Sequence, residues 1–233
     1  MDELDDALAN DFFGLDDDML GSLMIDEIIT EEFADYETTL IASARSVRMR
    51  ERAKMIVRHR QENLSKILTE LPDADESIHI LGHNKFDAWC FVPRCLELMG
   101  GTADELYIST WLIAHPYVRE LIEIIDAGKI RLGVSIITGL LFKRRKPESY
   151  AMVIEQMIGK KKGRFLQAKN HAKIILIANE VLNKYIVVET SANMGTNESM
   201  EQTAVYNGRT LYEFYRNEFD SIFDRDSQKE LHW

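Results

Sequence analysis

Cysteine is scarce in this chain, and the two present, Cys90 and Cys95, sit together in CFVPRC within an apolar stretch. Their setting fits neither a paired metal-ligand motif nor the disulfide framework of a small secreted domain, so a reducing interior is expected. Long apolar runs are missing too. The longest, such as IILIA at 174–178, are far too short to cross a bilayer, and no basic region leads into an apolar signal segment at the amino terminus. These absences point to a soluble, cytoplasmic protein.

The first 40 residues lack Lys and Arg altogether. They hold 14 Asp and Glu, so beyond them 25 acidic side chains face 28 basic ones, a balance of +3, although the whole chain sums to −11. The acidity therefore belongs to an amino-terminal arm, and the body of the protein does not repel a polyanion. Residues 1–42 alternate short apolar clusters with carboxylates, a pattern that buries too little surface to fold alone. We expect a disordered arm there. It serves either as a solubilising tail or as an interaction arm that binds the basic segment or another protein.

What is present begins at residue 43. Arg45, Arg48, Arg50, Arg52, Lys54, Arg58 and Arg60 fall in a stretch free of Gly and Pro, with Val47, Met55, Ile56, Ile67 and Leu68 on a partly apolar face. This predicts a basic helix over 43–71, ended by Pro72. It reads either as a phosphate-contacting arm or as a solvated helix paired with the acidic one.

After Pro72, strand-like and helix-like segments alternate, the pattern of an α/β domain with a mixed sheet flanked by helices. The domain is expected over 72–223, followed by a tail at 224–233. ESIHIL, ELYISTWLIA and IRLGVSIIT read as strands. FDAWCFVPRCLELM reads as a helix bent at Pro93, PYVRELIEIIDAG as a helix stopped at Gly128, and Glu148 to Ile158 as another. FKRRK and GKKKGR are basic loops. Trp89 and Trp111 have apolar neighbours and are assigned to the core, and His115 to the start of a helix.

The chemistry concentrates later in the chain. HAKIILIA at 171–178 and KYIVVET at 184–190 read as buried neighbouring strands, and EVLN between them is short enough for a hairpin. Pairing centred near Val181 places His171 opposite about Ser191. His171 and Lys173 then share a face, while Ser191 and Asn193 leave the partner strand at the same end. An imidazole nitrogen is a nucleophile, and an ammonium and a carboxamide donate hydrogen bonds to phosphate oxygens as charge builds, so no metal or cofactor is needed. Glu201 is the candidate carboxylate behind the imidazole. Lys143, Arg144, Arg145, Lys160, Lys161, Lys162 and Arg164 read as a cationic rim that guides a polyanion toward His171. No aromatic residue is interleaved with them, which leaves base stacking without support.

NHAKIILI followed by SANMGTNESMEQ resembles the H-x-K and G-S-x-N signature of the phospholipase D superfamily, with a likeness extending over roughly residues 75–223. The resemblance implies a phospholipase D-like half-domain. It also implies His171 as the nucleophile that forms a phosphohistidine, Lys173 and Asn193 gripping phosphate, Ser191 assisting and Glu201 orienting the histidine. Two positions depart from the pattern: the family's Asp is Ala178 here, and the Gly before Ser191 is Thr190. That Asp is chiefly a structural support in the family, so its loss touches motif completeness more than nucleophilicity.

Family members use two copies of the motif, one histidine attacking phosphorus and the other protonating the leaving oxygen. This chain supplies one. His83, Asn84 and Lys85 form another H-x-K, but no S-x-N follows on a partner strand, and we read it as loop. A two-fold homodimer bringing two His171 side chains to a shared pocket is the simplest completion. The expected activity is metal-independent phosphodiester cleavage, with DNA or RNA as substrate and no membrane contact. Two alternatives stay open. One is a lipid phosphodiesterase. The other is a non-catalytic phosphate-binding or assembly protein with a degenerate site, since chains resembling this one are often carried by bacteriophages and prophages.

Overall fold

Seven segments join in one sheet, most of them rich in β-branched and aromatic residues. They are β1 (Glu76–His83), β2 (Ala103–Thr110), β3 (Ile130–Gly139), β4 (Gly163–Ala168), β5 (Ile174–Asn179), β6 (Lys184–Thr190) and β7 (Met200–Asn207), in the order β1-β7-β6-β5-β2-β3-β4. This computed structural model describes residues 60–83, 86–195 and 200–229. The acidic arm at 1–42, the basic residues up to 59, Asn84 and Lys85 lie outside the described residues. Strands β2, β3 and β4 run parallel, and every other pairing is antiparallel, so the expected mixed α/β sheet is the sheet observed.

Alternation along the strands sends side chains to two faces. On one, Leu106, Ile108, Ile136, Ile175, Ile177 and Val188 lie beneath α1 (Phe91–Leu98), α2 (His115–Asp126) and α3 (Pro147–Ile154). On the other, Tyr107, Leu176, Tyr185 and Val187 lie beneath α4 (Arg209–Lys229), which contributes Tyr212 and Phe219. Each fully buried large aliphatic side chain stabilises the fold by about 1.5–3 kcal/mol. Helix α2 ends as its sequence predicts: Gly128 adopts φ +67°, and Lys129 N–H reaches back to the Ile124 carbonyl at 3.1 Å.

Several boundaries differ from the sequence reading. Pro93 falls in the first turn of α1, where a missing N–H costs nothing, and the residues ahead of it form a separate 3-10 turn, Ala88–Cys90, capped by Asp87. β2 ends at Thr110 rather than at Ala114. Gly163 and Arg164, read as the end of the basic loop GKKKGR, and the unassigned residues that follow form strand β4. His83 closes β1 and pairs with Met200 instead of sitting in a loop. Helix α4 runs on to Lys229, past 223.

Helical geometry after residue 60 ends at residue 65, well short of Pro72. Leu64 and Leu68 are fully buried there. Arg60 is buried as well and pairs with Asp87 at 2.9 Å, so it is neither solvated nor placed to contact phosphate. The Tyr117 hydroxyl also donates to Asp87, whose carboxyl is raised above its ordinary range by burial, with Arg60 and Tyr117 opposing that shift. Trp89 is core as expected, its indole N–H donating to Glu120 at 2.7 Å. Cys90 and Cys95 are free, buried thiols, and burial pushes Cys95 up to about 12.

Candidate active site at the end of the sheet

Parallel strands present their carboxyl ends together, and connections leaving those ends are where open α/β sheets place ligands. Between β4 and β5 the chain crosses the ends of β3 and β2, because β4 lies at one edge of the sheet and β5 pairs with β2. Residues 169–173 make that crossing, and His171 is at its centre.

Asn170 fixes it. Its carboxamide donates to Ser109 Oγ at 3.0 Å, to the Thr110 carbonyl at 3.2 Å and to the Ile137 carbonyl at 3.3 Å, while its oxygen accepts from Ala172 N–H at 3.0 Å. One side chain thus ties the crossing to the ends of two strands. The sequence reading did not single it out, and its only signal was adjacency to His171.

Lys173 Nζ lies 3.2 Å from Nδ1 of His171 and donates to the His171 carbonyl at 3.1 Å. Partial burial and the neighbouring Lys173 charge lower the pKa of His171, favouring the neutral imidazole. Burial also lowers Lys173, and Glu201 opposes that shift. Glu201 accepts from the Ser191 hydroxyl, and Gln202 N–H donates to the same hydroxyl at 3.1 Å. The groups that set the proton affinity of His171 are thus burial and Lys173. The carboxylate expected behind the imidazole accepts from the serine, and its charge acts on the Lys173 amine.

The hairpin register explains this arrangement. Asn179 pairs with Lys184 and Ile174 with Glu189, and Thr190 N–H reaches the Lys173 carbonyl at 3.1 Å. Extended by the same rule, His171 falls opposite Ala192 instead of Ser191. A slip of one residue turns a side chain to the other face. Ala192 and Met194 are buried, and Ser191 is exposed and bonds across to β7. Asn193 stands between the two buried residues, its Oδ1 buried without a hydrogen-bond partner among the described residues.

The two basic stretches part company. Lys143, Arg144 and Arg145 lie on a helical turn, Phe142–Arg145, just beyond the carboxyl end of β3, at the same end of the sheet as His171. Lys160, Lys161 and Lys162 precede the amino end of β4, at the opposite end, because β4 runs parallel to β3. Six residues of strand separate that loop from the crossing, about 20 Å. Lys160 pairs with Glu155 at 3.0 Å and Lys162 with Asp126, while Arg164 pairs with Asp220 beneath α4 and donates to Ser135 at 3.1 Å. These four residues do not rim the His171 site, and overlooking β4 is what made them seem to.

Trp111 moves the other way, from assigned core to the site. Its ring centroid lies 5.9 Å from that of His171, and Arg145 covers the indole at 4.8 Å. His115 begins α2, as expected. Ala178 is buried on the α4 face, directly paired with Glu105. Glu105 accepts from Arg216 at 2.9 Å and from Tyr212 at 3.3 Å, so a carboxylate from the neighbouring strand braces the sheet against α4 beside the alanine.

No protein-family model matches the chain, and no curated protein matches it. Among solved structures it is similar to Nuc, a phospholipase D family member from Salmonella typhimurium, at 16% identity and a TM-score of 0.46, over 64% of this chain and 95% of that one. NucT from Helicobacter pylori is similar at 14% identity and a TM-score of 0.44, over 64% and 97%. TrmBL2, an archaeal chromatin protein, is similar at 14% identity and a TM-score of 0.45, over 78% and 65%.

Proposed function

We propose that the chain is a phospholipase D-like phosphodiesterase that cleaves nucleic acid as a homodimer. The observation that carries this reading is the pairing of His171 with Lys173 at 3.2 Å on a pinned crossing at the strand ends, with Arg145 nearby. A lowered pKa keeps the imidazole neutral, and hence nucleophilic, down to lower pH than usual.

In the resting arrangement the Lys173 amine faces Nδ1. A bound phosphate draws that amine onto its own oxygens, leaving Nδ1 to carry the proton and Nε2 to attack. A P–N bond forms and the P–O bond to the leaving alkoxide breaks, that oxygen taking a proton from His171 of the partner subunit, which enters the step as the imidazolium, the two facing imidazoles holding one extra proton between them. Water then attacks phosphorus, the P–N bond breaks, and the water proton goes to the same partner imidazole. Lys173 and Asn193 donate to the phosphoryl oxygens as charge develops. Lys143, Arg144 and Arg145 hold the flanking backbone.

The test compares wild type with His171→Ala on a chromogenic diester, on plasmid DNA and on RNA, with and without chelator, with molecular mass followed by light scattering. Cleavage that survives chelator and disappears in the variant is expected. A folded dimer inert on all three substrates ends this reading.

A further inference from the structure

Trp111 is the first residue after β2, at the point where the chain leaves the sheet. Its carbonyl accepts from Gly139 N–H at 3.1 Å, which fastens the end of β2 to the end of β3. A methyl group on Gly139 would overlap Cδ1 of the indole and stand 3.0 Å from Nε1, so any larger residue there must push the ring aside. The glycine therefore leaves a slot, and the indole fills it. One neighbour of the seated ring is the Arg145 guanidinium, 4.8 Å from the ring centroid, and another is the His171 imidazole at 5.9 Å, inclined by 48°. A flat, rigid side chain with only two torsions, held by its backbone, its slot and a cation, is a wall with little freedom to move.

The geometry points to Trp111 as a positioning residue for the candidate nucleophile: seated in the Gly139 slot and covered by Arg145, it holds the imidazole plane of His171 and covers one side of it. This rests on the reading of His171 as the attacking group and names the part of the fold that aims it. Asn170 fixes the backbone of the crossing, but a fixed backbone leaves the imidazole two side-chain torsions. The indole restricts them. It also supplies apolar surface that desolvates the ring, and burial is the first cause of the lowered His171 pKa. Among the described residues, the charged groups of this corner are Lys173 beside Nδ1, Arg145 over the indole, and Glu201 on β7, whose charge acts on Lys173. All three survive substitution of the tryptophan.

The experiment uses the full chain with Trp111→Ala, Trp111→Phe and Gly139→Ala, the last keeping the indole and displacing it. Two readouts separate this proposal from the proposed function. The first is the His171 titration followed by NMR, assigned by loss of its signal in His171→Gln, and by Trp111 fluorescence, which a nearby imidazolium quenches. It needs no activity. In wild type the emission attributable to Trp111 dims as pH falls through the His171 midpoint, and His171→Gln abolishes that step. In Trp111→Ala and Gly139→Ala the midpoint moves up toward the ordinary histidine value. The second readout is the diester pH–rate profile, whose acid limb moves up in parallel. In Trp111→Ala kcat falls by about tenfold to a hundredfold, the scale of a misplaced nucleophile, with a smaller change in KM, and Trp111→Phe restores most of it. A Trp111 emission blind to His171 protonation, or a midpoint unmoved in both Trp111→Ala and Gly139→Ala, overturns the proposal. So does a Trp111→Phe protein no better than Trp111→Ala when both are folded by circular dichroism.

Discussion

The carboxamide of Asn170 donates to the carbonyl oxygen of Ile137 at 3.3 Å, tying the residue before the candidate nucleophile to the end of β3. Strand β3 is not a sequence neighbour of His171. The backbone that carries the imidazole is therefore pinned by a strand more than thirty residues upstream.

Asn170→Ala removes the side-chain hydrogen bonds that hold the crossing. We predict a fall in kcat on the order of a hundredfold, because displacing a reacting group by about 1 Å costs that much. KM changes little, since the phosphate-gripping side chains remain. Steady-state kinetics on a chromogenic diester check this; equal losses in kcat and in substrate affinity contradict it.

Lys173→Met tests the electrostatics of the pair. The lysine charge and burial both push His171 below the ordinary histidine value, so the neutral form persists to lower pH. Removing the charge lifts one of these two causes, and the His171 midpoint moves upward. NMR titration reads this directly, independently of the activity that the variant loses.

The two basic stretches are predicted to differ in their response to salt. Substituting Lys143 and Arg144 by Ala should flatten the dependence of log affinity for DNA on log salt by about 0.9 for each phosphate the protein no longer neutralises. Substituting Lys160 and Lys161 should leave the slope unchanged, since that loop lies at the other end of β4. Filter binding at several salt concentrations decides it.

Arg60 and Asp87 form a buried ion pair at 2.9 Å, shared with the Tyr117 hydroxyl. Breaking such a pair from one side strands a buried charge, so Asp87→Ala and Arg60→Ala should each destabilise the fold by about 3 kcal/mol or more. The double variant should lose much less than the two added together. Urea denaturation measures all three.

Local pattern carried much of this protein. The runs at 174–178 and 184–190 announced buried neighbouring strands, Gly128 announced the end of α2, and the alternation after Pro72 announced a mixed α/β sheet, all of which the structure contains. These features were legible because side-chain periodicity and turn chemistry act over a few residues. His171 and Lys173 were legible as a pair because they are two residues apart in sequence, and they meet although β5 begins only at Ile174.

Other features depended on residues far apart in sequence. RFLQA has little strand signature of its own and becomes β4 by pairing with β3, which carries Lys160, Lys161 and Lys162 to the far end of the sheet. The hairpin register, fixed by the turn at Glu180 to Asn183, sets Ala192 opposite His171 in place of Ser191, whose hydroxyl donates to Glu201. Trp111 looked like core among its apolar neighbours, and only the crossing of residues 169–173 over β2 and β3 brought His171 against it. Sequence thus determined which segments bury which faces, because that is a matter of short-range periodicity. The fold alone decided which strand ends meet, because that depends on long-range pairing and a crossover that no local pattern encodes.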